Sequence, residues 1–336
     1  MTTTTTADDL AATLLAAAAD SDFSGVIRVD QGERLVTEQA YGLADRAYRI
    51  AATPQHRFGV ASIAKGFTAL TIGALIDEGT LTLDTAVRPL LGGDLPEIHD
   101  EVTIGQLLSH TSGIGDYLDE SEAEITDHVL EVAVHTLTDA EAFLPVLAGH
   151  SQVTPPGQEY AYNNAGFVVL ALLAERITGI GFHDLVQQKV FAPAGMTRSS
   201  YPRLDEPEAD VAPGYLAETG LRTNVLHLPV RGSGDGGAVT TAADLAAFWA
   251  ALLAGRIVSA ATLEALLEPV SVDEEEEMRY ARGFWRGLAS EEIRLEGYDA
   301  GVSARTWHDP RSGITASVIA NHSDGAWPVL VALEDD

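Results

Sequence analysis

The sequence predicts an α+β (α/β-class) fold: an antiparallel sheet assembled from both ends of the chain, flanked by helices, with a helical stretch inserted between. Two observations predict it. Apolar and polar residues alternate with period two near the start and again from about residue 281 onward, whereas the middle follows helical spacing. At 336 residues and 46% hydrophobic, the chain can bury the core such a fold needs.

Taking the elements in order, the apolar part of MTTTTTADDLAATLLAAAAD reads as a first amphipathic helix. Gly25–Asp30 and Arg34–Tyr41 alternate across a Gly-containing turn, a β-hairpin signature. Arg57–Ala61 is a short strand-like approach to Ser62. From Ser62 to Glu78, apolar residues recur at helical spacing, with Ser62 as N-cap or first-turn residue and Gly79 as the stop. Further helices are expected at Ile104–His110, Ile125–Leu137, Ala140–Leu147, Ala165–Thr178 and Asp244–Leu253. Strands follow at Ala281–Gly287, Glu292–Glu296, Val302–Asp309 and Ile314–Asn321, then a closing helix over Asp324–Leu333. The expected organisation is a sheet subdomain from 1–85 and 206–336, a mainly helical subdomain from 86–205, and an active-site groove between them. The Thr-rich start and the Asp335-Asp336 end read as tails, and Asp273–Glu277 as a solvated loop.

Composition excludes several functions. A net charge of −30 opposes nucleic acid, whose phosphates require Lys and Arg, and anionic membrane surfaces. No apolar run approaches the roughly 20 residues that span a bilayer. The opening residues lack the basic n-region of a secretory signal, so the expectation is a cytoplasmic protein. With no cysteine, thiolate chemistry is impossible, and the histidines show no metal-ligand spacing, so neither metal nor cofactor is expected.

The chemistry-bearing segment is Ser62-Ile63-Ala64-Lys65. Positions i and i+3 share a helical face, so the Lys65 amine reaches the Ser62 oxygen. The positive end of the helix dipole opposes the ammonium form, and a neutral amine beside a hydroxyl is a competent base. Only Lys65 and Lys189 are lysines in a chain whose other cationic residues are arginines. Alone the motif is weak, and a helix cap beside a surface lysine would explain it equally well. Company comes from Leu107-Leu-Ser-His-Thr-Ser-Gly113, Pro156-Gly157 before Tyr162-Asn163-Asn164, and Gly236-Gly237-Ala-Val-Thr-Thr-Ala-Ala-Asp-Leu245. Gly232-Ser233-Gly234 lacks the full nucleophile-elbow pattern.

In this order, from about residue 24 to 325, the segments resemble the class C β-lactamase and penicillin-binding-protein-like serine hydrolases, including esterases and transacylases. The resemblance implies the β-lactamase/transpeptidase fold. It makes Ser62 the acylated nucleophile, Lys65 its base, Tyr162 a proton-exchange partner and Asn164 the group that holds Lys65 and a substrate amide. Tyr160 offers a competing register for Tyr162, and His110 is expected to be structural. The backbone N–H of Ser62 would form half of an oxyanion hole. The family's Lys-Thr-Gly or His-x-Gly edge-strand motif finds its best match in Asp299-Ala300-Gly301, with Tyr298-Asp299-Ala300 as the other register. That places Asp299 and Gly301 at the substrate and makes Val302 the second oxyanion donor. Arg305, Trp307 and His308 are either groove wall or alternate faces of a strand. An aspartate in place of a cation puts β-lactam recognition in doubt. The expected activity is cleavage of a small-molecule ester or amide through an acyl-enzyme. Acyl transfer to an amine or alcohol is the alternative, and a catalytically silent binding protein of the same fold is the third.

Overall fold

A computed structural model describes residues 6–118, 125–127, 129–273 and 277–333. The first helix, α1 (Ala7–Ala19), starts where Thr6 and Asp9 cap it reciprocally, the Asp9 N–H donating to Thr6 Oγ1 at 3.1 Å. The hairpin follows as β1 (Gly25–Gln31) and β2 (Arg34–Tyr41). The helix that follows Ser62, α2 (Ala64–Asp77), is buried on all sides from Ala64 to Leu75, as a helix through the centre of a domain must be. Helix α3 (Asn164–Thr178) packs on α2, and α4 (Ala242–Leu253) packs on β1. Gly179 closes α3 in the left-handed conformation.

The remaining strands are β3 (Ser271–Asp273), β4 (Met278–Tyr280), β5 (Trp285–Gly287), β6 (Ile293–Asp299), β7 (Val302–Asp309) and β8 (Ile314–Ala320), before α5 (Trp327–Val331). One antiparallel sheet results, in the order β2-β1-β8-β7-β6-β5-β4-β3. The two chain ends meet at its second and third strands, where Val26 pairs with Ile319 and Ile27 with Val318. Alternation then divides the core. Val26, Ala304 and Ile319 face α2, α3 and α4, whereas Ile27, Val29, Trp307 and Val318 face α1 and α5. Among the described residues no single helix is long and apolar enough to cross a membrane.

Several expected elements are shorter or absent. In place of a helix over Ile125–Leu137, the described part holds only a 3₁₀ turn at Val134–Thr136. Its carbonyls are spent elsewhere, Val134 O accepting from Val230 N at 3.0 Å and Leu137 O from Arg231 N at 3.2 Å. Ala140–Leu147 splits into a 3₁₀ turn (Glu141–Phe143) and a short helix (Leu144–Leu147), with Pro145 in its first turn. Arg57–Ala61 reduces to Phe58–Gly59, paired with Val239–Thr240. The Ala281–Gly287 strand begins only at Trp285, because Gly283 turns at φ +84°. The closing helix is limited to α5. Asp273 and Glu277 flank the connection between β3 and β4. Glu274–Glu276 and both terminal tails lie outside the described residues.

Candidate active site

Ser62 sits in a single 3₁₀ turn, Ala61–Ile63, that feeds α2, and its side chain caps nothing. Ala61 adopts φ +44°, a left-handed conformation that costs a non-glycine residue on the order of 1 kcal/mol. The turn is held by the Val60 N–H on Ala238 O and the Ile63 N–H on Val60 O, both 3.1 Å. Strain of this kind, one residue before a half-buried serine, keeps the hydroxyl turned out of the core.

Lys65, 2% exposed, directs its Nζ to Asn164 Oδ1 at 2.7 Å, to Ser62 Oγ at 2.9 Å and to the Asp235 carbonyl at 3.1 Å. Nζ donates to all three oxygens, so the Ser62 hydroxyl is held directly against the amine. The structure thus brings Ser62, Lys65 and Asn164 into direct contact. Tyr162 lies beside them, its ring centroid 4.9 Å from Nζ and stacked on Trp285 at 6.4 Å. Tyr160 lies instead against Tyr280, at 5.7 Å between rings, and burial pushes its hydroxyl far above the usual range.

His110 is 1% exposed, and burial holds it neutral, well below the usual imidazole range. Its Nδ1 accepts from the Asn163 N–H at 3.0 Å, so Nε2 carries the proton and donates to the Tyr280 hydroxyl at 3.0 Å. The Ala161 N–H returns to the His110 carbonyl at 2.9 Å. His110 therefore pins the Tyr162-Asn163-Asn164 segment from both sides, and Asn163 Oδ1 caps α3 by accepting from the Gly166 N–H at 2.7 Å.

Sequence reasoning missed three groups. Asp116 accepts from the backbone N–H groups of Asn164 at 2.5 Å and Ala165 at 3.0 Å, fixing the start of α3. Burial raises its carboxyl to about 6 despite these bonds. Tyr117, next in the chain, donates its hydroxyl to the Asp235 carboxylate. Burial raises that carboxyl too. The available signals were slight: an acid two residues after Ser-Gly-Ile, and an acid flanked by glycines in Gly232-Ser-Gly-Asp-Gly-Gly237.

The edge strand corrects the expected register. The glycine beside Ser62 is Gly297, where a Cβ would stand 2.1 Å from the Val60 carbonyl oxygen and 3.0 Å from the Ser62 nitrogen. Gly301 instead occupies the two-residue turn between β6 and β7 at φ +75°, packed on Gly214, with its N–H on Ser323 Oγ at 2.8 Å. Residues flanking such a turn bond to each other, so the Val302 N–H is spent on Asp299. Tyr298 is then a non-hydrogen-bonded position whose N–H is directed away from β7, to the side where the Ser62 turn packs. Two residues before Gly297, where the motif has Lys or His, stands Leu295, buried against Gly66 of α2.

Asp299 lies two residues beyond Gly297 and so projects from the same face of β6. It lines a cavity of about 320 Å³ together with Ser62, Tyr117 and Asn164, and Gly301 and Val302 border the same cavity, as the sequence leads one to expect. The outer wall is mainly apolar, with Leu118, Ile125, Leu130, Val225 and Leu228. Arg305, Trp307 and His308 line no part of it. Arg305 pairs with Glu296, Trp307 faces α1, and His308 bonds Thr315 at 2.9 Å.

A family model described as beta-lactamase matches residues 8–334. Penicillin-binding protein 4* of Bacillus subtilis is 28% identical over 292 residues, 83% of this chain and 63% of that protein. A D-aminopeptidase of Cereibacter sphaeroides is 31% identical over 200 residues, 57% of this chain and 35% of that one. The crystal structure of a penicillin binding protein from Bacillus halodurans superposes with a TM-score of 0.89 at 35% identity, covering 96% of this chain and 99% of that one. The chain spans 54 to 63% of the length of the first curated relatives it matches.

Proposed function

The chain belongs to the beta-lactamase family, and from that premise we propose that it is a serine hydrolase that cleaves an ester or amide of a small molecule through an acyl-enzyme on Ser62. One observation carries the reading: a buried Lys65 amine 2.9 Å from Ser62 Oγ that is also bonded to Asn164 and the Asp235 carbonyl. A buried lysine amine held against a hydroxyl has a chemical use that a binding protein would not need.

In the proposed cycle, Lys65 takes the Ser62 proton and the alkoxide attacks the carbonyl carbon. The N–H groups of Ser62 and Tyr298 receive the developing oxyanion. Tyr162, over which Nζ lies, relays the proton to the departing alcohol or amine. Water then reverses the sequence and releases the acid. Asn164 keeps Lys65 aimed, and Asp116 keeps Asn164 in place. Leu295 at the motif's cationic position removes the group that would hold a substrate carboxylate, which favours neutral or cationic substrates over penicillin-like ones.

The test is stopped-flow hydrolysis of p-nitrophenyl esters of increasing acyl length, with and without an added amine or alcohol acceptor. A burst equal to the enzyme concentration, followed by slower turnover, supports the acyl-enzyme. Acceptor that enters the product assigns acyl transfer as the second half-reaction. Nitrophenol release that is identical in Lys65→Ala contradicts the proposal.

A further inference from the structure

The residues that aim Lys65 extend one layer beyond Asn164, given the hydrolase reading above. Two oxygens that accept from Nζ, Asn164 Oδ1 and the Asp235 carbonyl, are both tied to one tripeptide, Asp116-Tyr117-Leu118. On the Asn164 side, Asp116 takes the backbone N–H groups of Asn164 and Ala165, and the Leu118 carbonyl accepts from Asn164 Nδ2 at 3.3 Å. On the other side, the Tyr117 hydroxyl donates to the Asp235 carboxylate. Asp235 is thus engaged twice: its main-chain oxygen receives Lys65 while its side chain is gripped by Tyr117.

A carbonyl at this place needs such a grip. Asp235 stands between Gly234 and Gly236-Gly237, with Gly237 at φ +86°, and glycines leave a chain free to turn. Before Asp235 the chain is anchored by Thr68, three residues beyond Lys65 on α2, whose Oγ1 donates to the Gly234 carbonyl at 2.6 Å. After it come two glycines that carry no side chain, so the Asp235 carboxylate is the handle that fixes this carbonyl. Burial works against that charge, and a residue that merely filled the space would need none. Burial and the Asp235 charge together push the Tyr117 hydroxyl well above the usual range, so it stays a donor wherever the enzyme works.

We propose that Tyr117 is a positioning residue for acylation, gripping the Asp235 side chain so that the Asp235 carbonyl holds the Lys65 amine against Ser62. Tyr117 acts through Asp235, and Asp116 and Leu118 do the same for the Asn164 arm. Loss of the hydroxyl frees the glycine-flanked carbonyl to swing, and Nζ drifts from Ser62 Oγ. Proton transfer from Ser62 then slows, while the aromatic ring that lines the cavity stays in place to meet a substrate.

The experiment measures saturation kinetics of Ser62 labelling by a fluorophosphonate in the full chain, read by intact-protein mass. Wild type is compared with Tyr117→Phe, Asp235→Ala and the double variant. Tyr201→Phe is the control, because it removes another buried hydroxyl that feels the Asp235 charge but has no hydrogen-bond partner among the described residues. For Tyr117→Phe the expected limiting rate is roughly tenfold or more below wild type, since an ångström of misplacement can cost about 10²-fold. Its half-saturating concentration is expected to stay within about twofold, and Tyr201→Phe to match wild type in both. The double variant is expected within about twofold of the slower single one, because both changes release the same carbonyl. An unchanged limiting rate in Tyr117→Phe overturns the inference, as does a loss confined to half-saturation, an equal loss in Tyr201→Phe, or losses that multiply in the double variant. Where Asp235→Ala does not fold by circular dichroism, the rates of Tyr117→Phe and Tyr201→Phe decide. A folded wild-type chain that takes no label at Ser62 overturns the hydrolase reading and this inference together, whereas labelling that ignores the Tyr117 hydroxyl overturns this inference alone.

Discussion

The floor of the groove and its outer wall are built by opposite rules. At the floor, Lys65, Asn164 and His110 come from stretches far apart in the chain, are almost fully buried, and bond to one another or to the backbone between them. At the wall, apolar side chains stand on irregular segments, and neighbours such as Val129 and Leu226 are 74% and 75% exposed. A buried polar atom that loses its partner costs about 1–3 kcal/mol, so each floor residue fixes the next. An apolar wall residue costs little to exchange. On the proposed reading, chemistry is held where each bond fixes the next, and substrate contact where a side chain is exchanged at little cost.

That contrast can be broken at the floor first. Lys65→Ala is expected to lower ester kcat/KM by about 10³-fold, the middle of the range for a group that handles protons, with little change in far-ultraviolet circular dichroism. A loss under tenfold would remove Lys65 from the mechanism. Gly297→Ala comes next. Its Cβ would stand 2.1 Å from the Val60 carbonyl oxygen, so strand and nucleophile turn must part. Displacement on this scale is expected to cost about 10²-fold in kcat. Gly301→Ala, strained in its turn, is expected to lower thermal stability more than kcat, and comparing the two variants checks which glycine belongs to the site.

The wall responds differently. Leu228→Ala is expected to reduce the ratio of kcat/KM for hexanoate over acetate esters by about tenfold, since a few methylenes lose their apolar contact. An unchanged ratio would place the acyl chain elsewhere.

The smallest effect is on pH. Burial holds His110 and His183 below the usual imidazole range, His183 at about 4. The unfolded chain protonates each near 6.5, so their stabilisation is present above that value and lost as pH falls toward 4. Asp116 has the opposite sign. Its carboxyl, raised from 3.8 to about 6, takes up a proton in the folded state first and favours folding as pH falls through that window. His227, His308 and His322 are shifted down in the same way and Asp235 up like Asp116, so among the described residues the histidines outnumber the raised carboxyls and the net direction is a loss of stability as pH falls from roughly 6 toward 4. Urea unfolding at pH 6, 5.5 and 5 measures it, and His183→Gln is expected to flatten the slope.

Much of the floor was legible in the sequence because it rests on local spacing. Ser62 and Lys65 lie on one helix face, and Tyr162 and Asn164 flank a helix start. The sheet was legible too, because alternation survives wherever one face is buried. Gly297 was not. Glu296-Gly-Tyr-Asp-Ala-Gly301 offers two glycines, and only the approach of the Val60 carbonyl tells a contact glycine from a turn glycine. Asp116 and Asp235 were hidden because their partners are backbone groups and a tyrosine remote in sequence. The helix expected over Ile125–Leu137 failed for the same reason, as its carbonyls bond a loop about a hundred residues away.

The most direct test of the account is the mass of the intact protein after exposure to a fluorophosphonate, with Ser62→Ala treated alongside. The account predicts one adduct, located at Ser62 by peptide mapping and absent from the variant. A folded wild-type chain that stays unlabelled at pH 7 to 9, or an adduct that persists in Ser62→Ala, would contradict it.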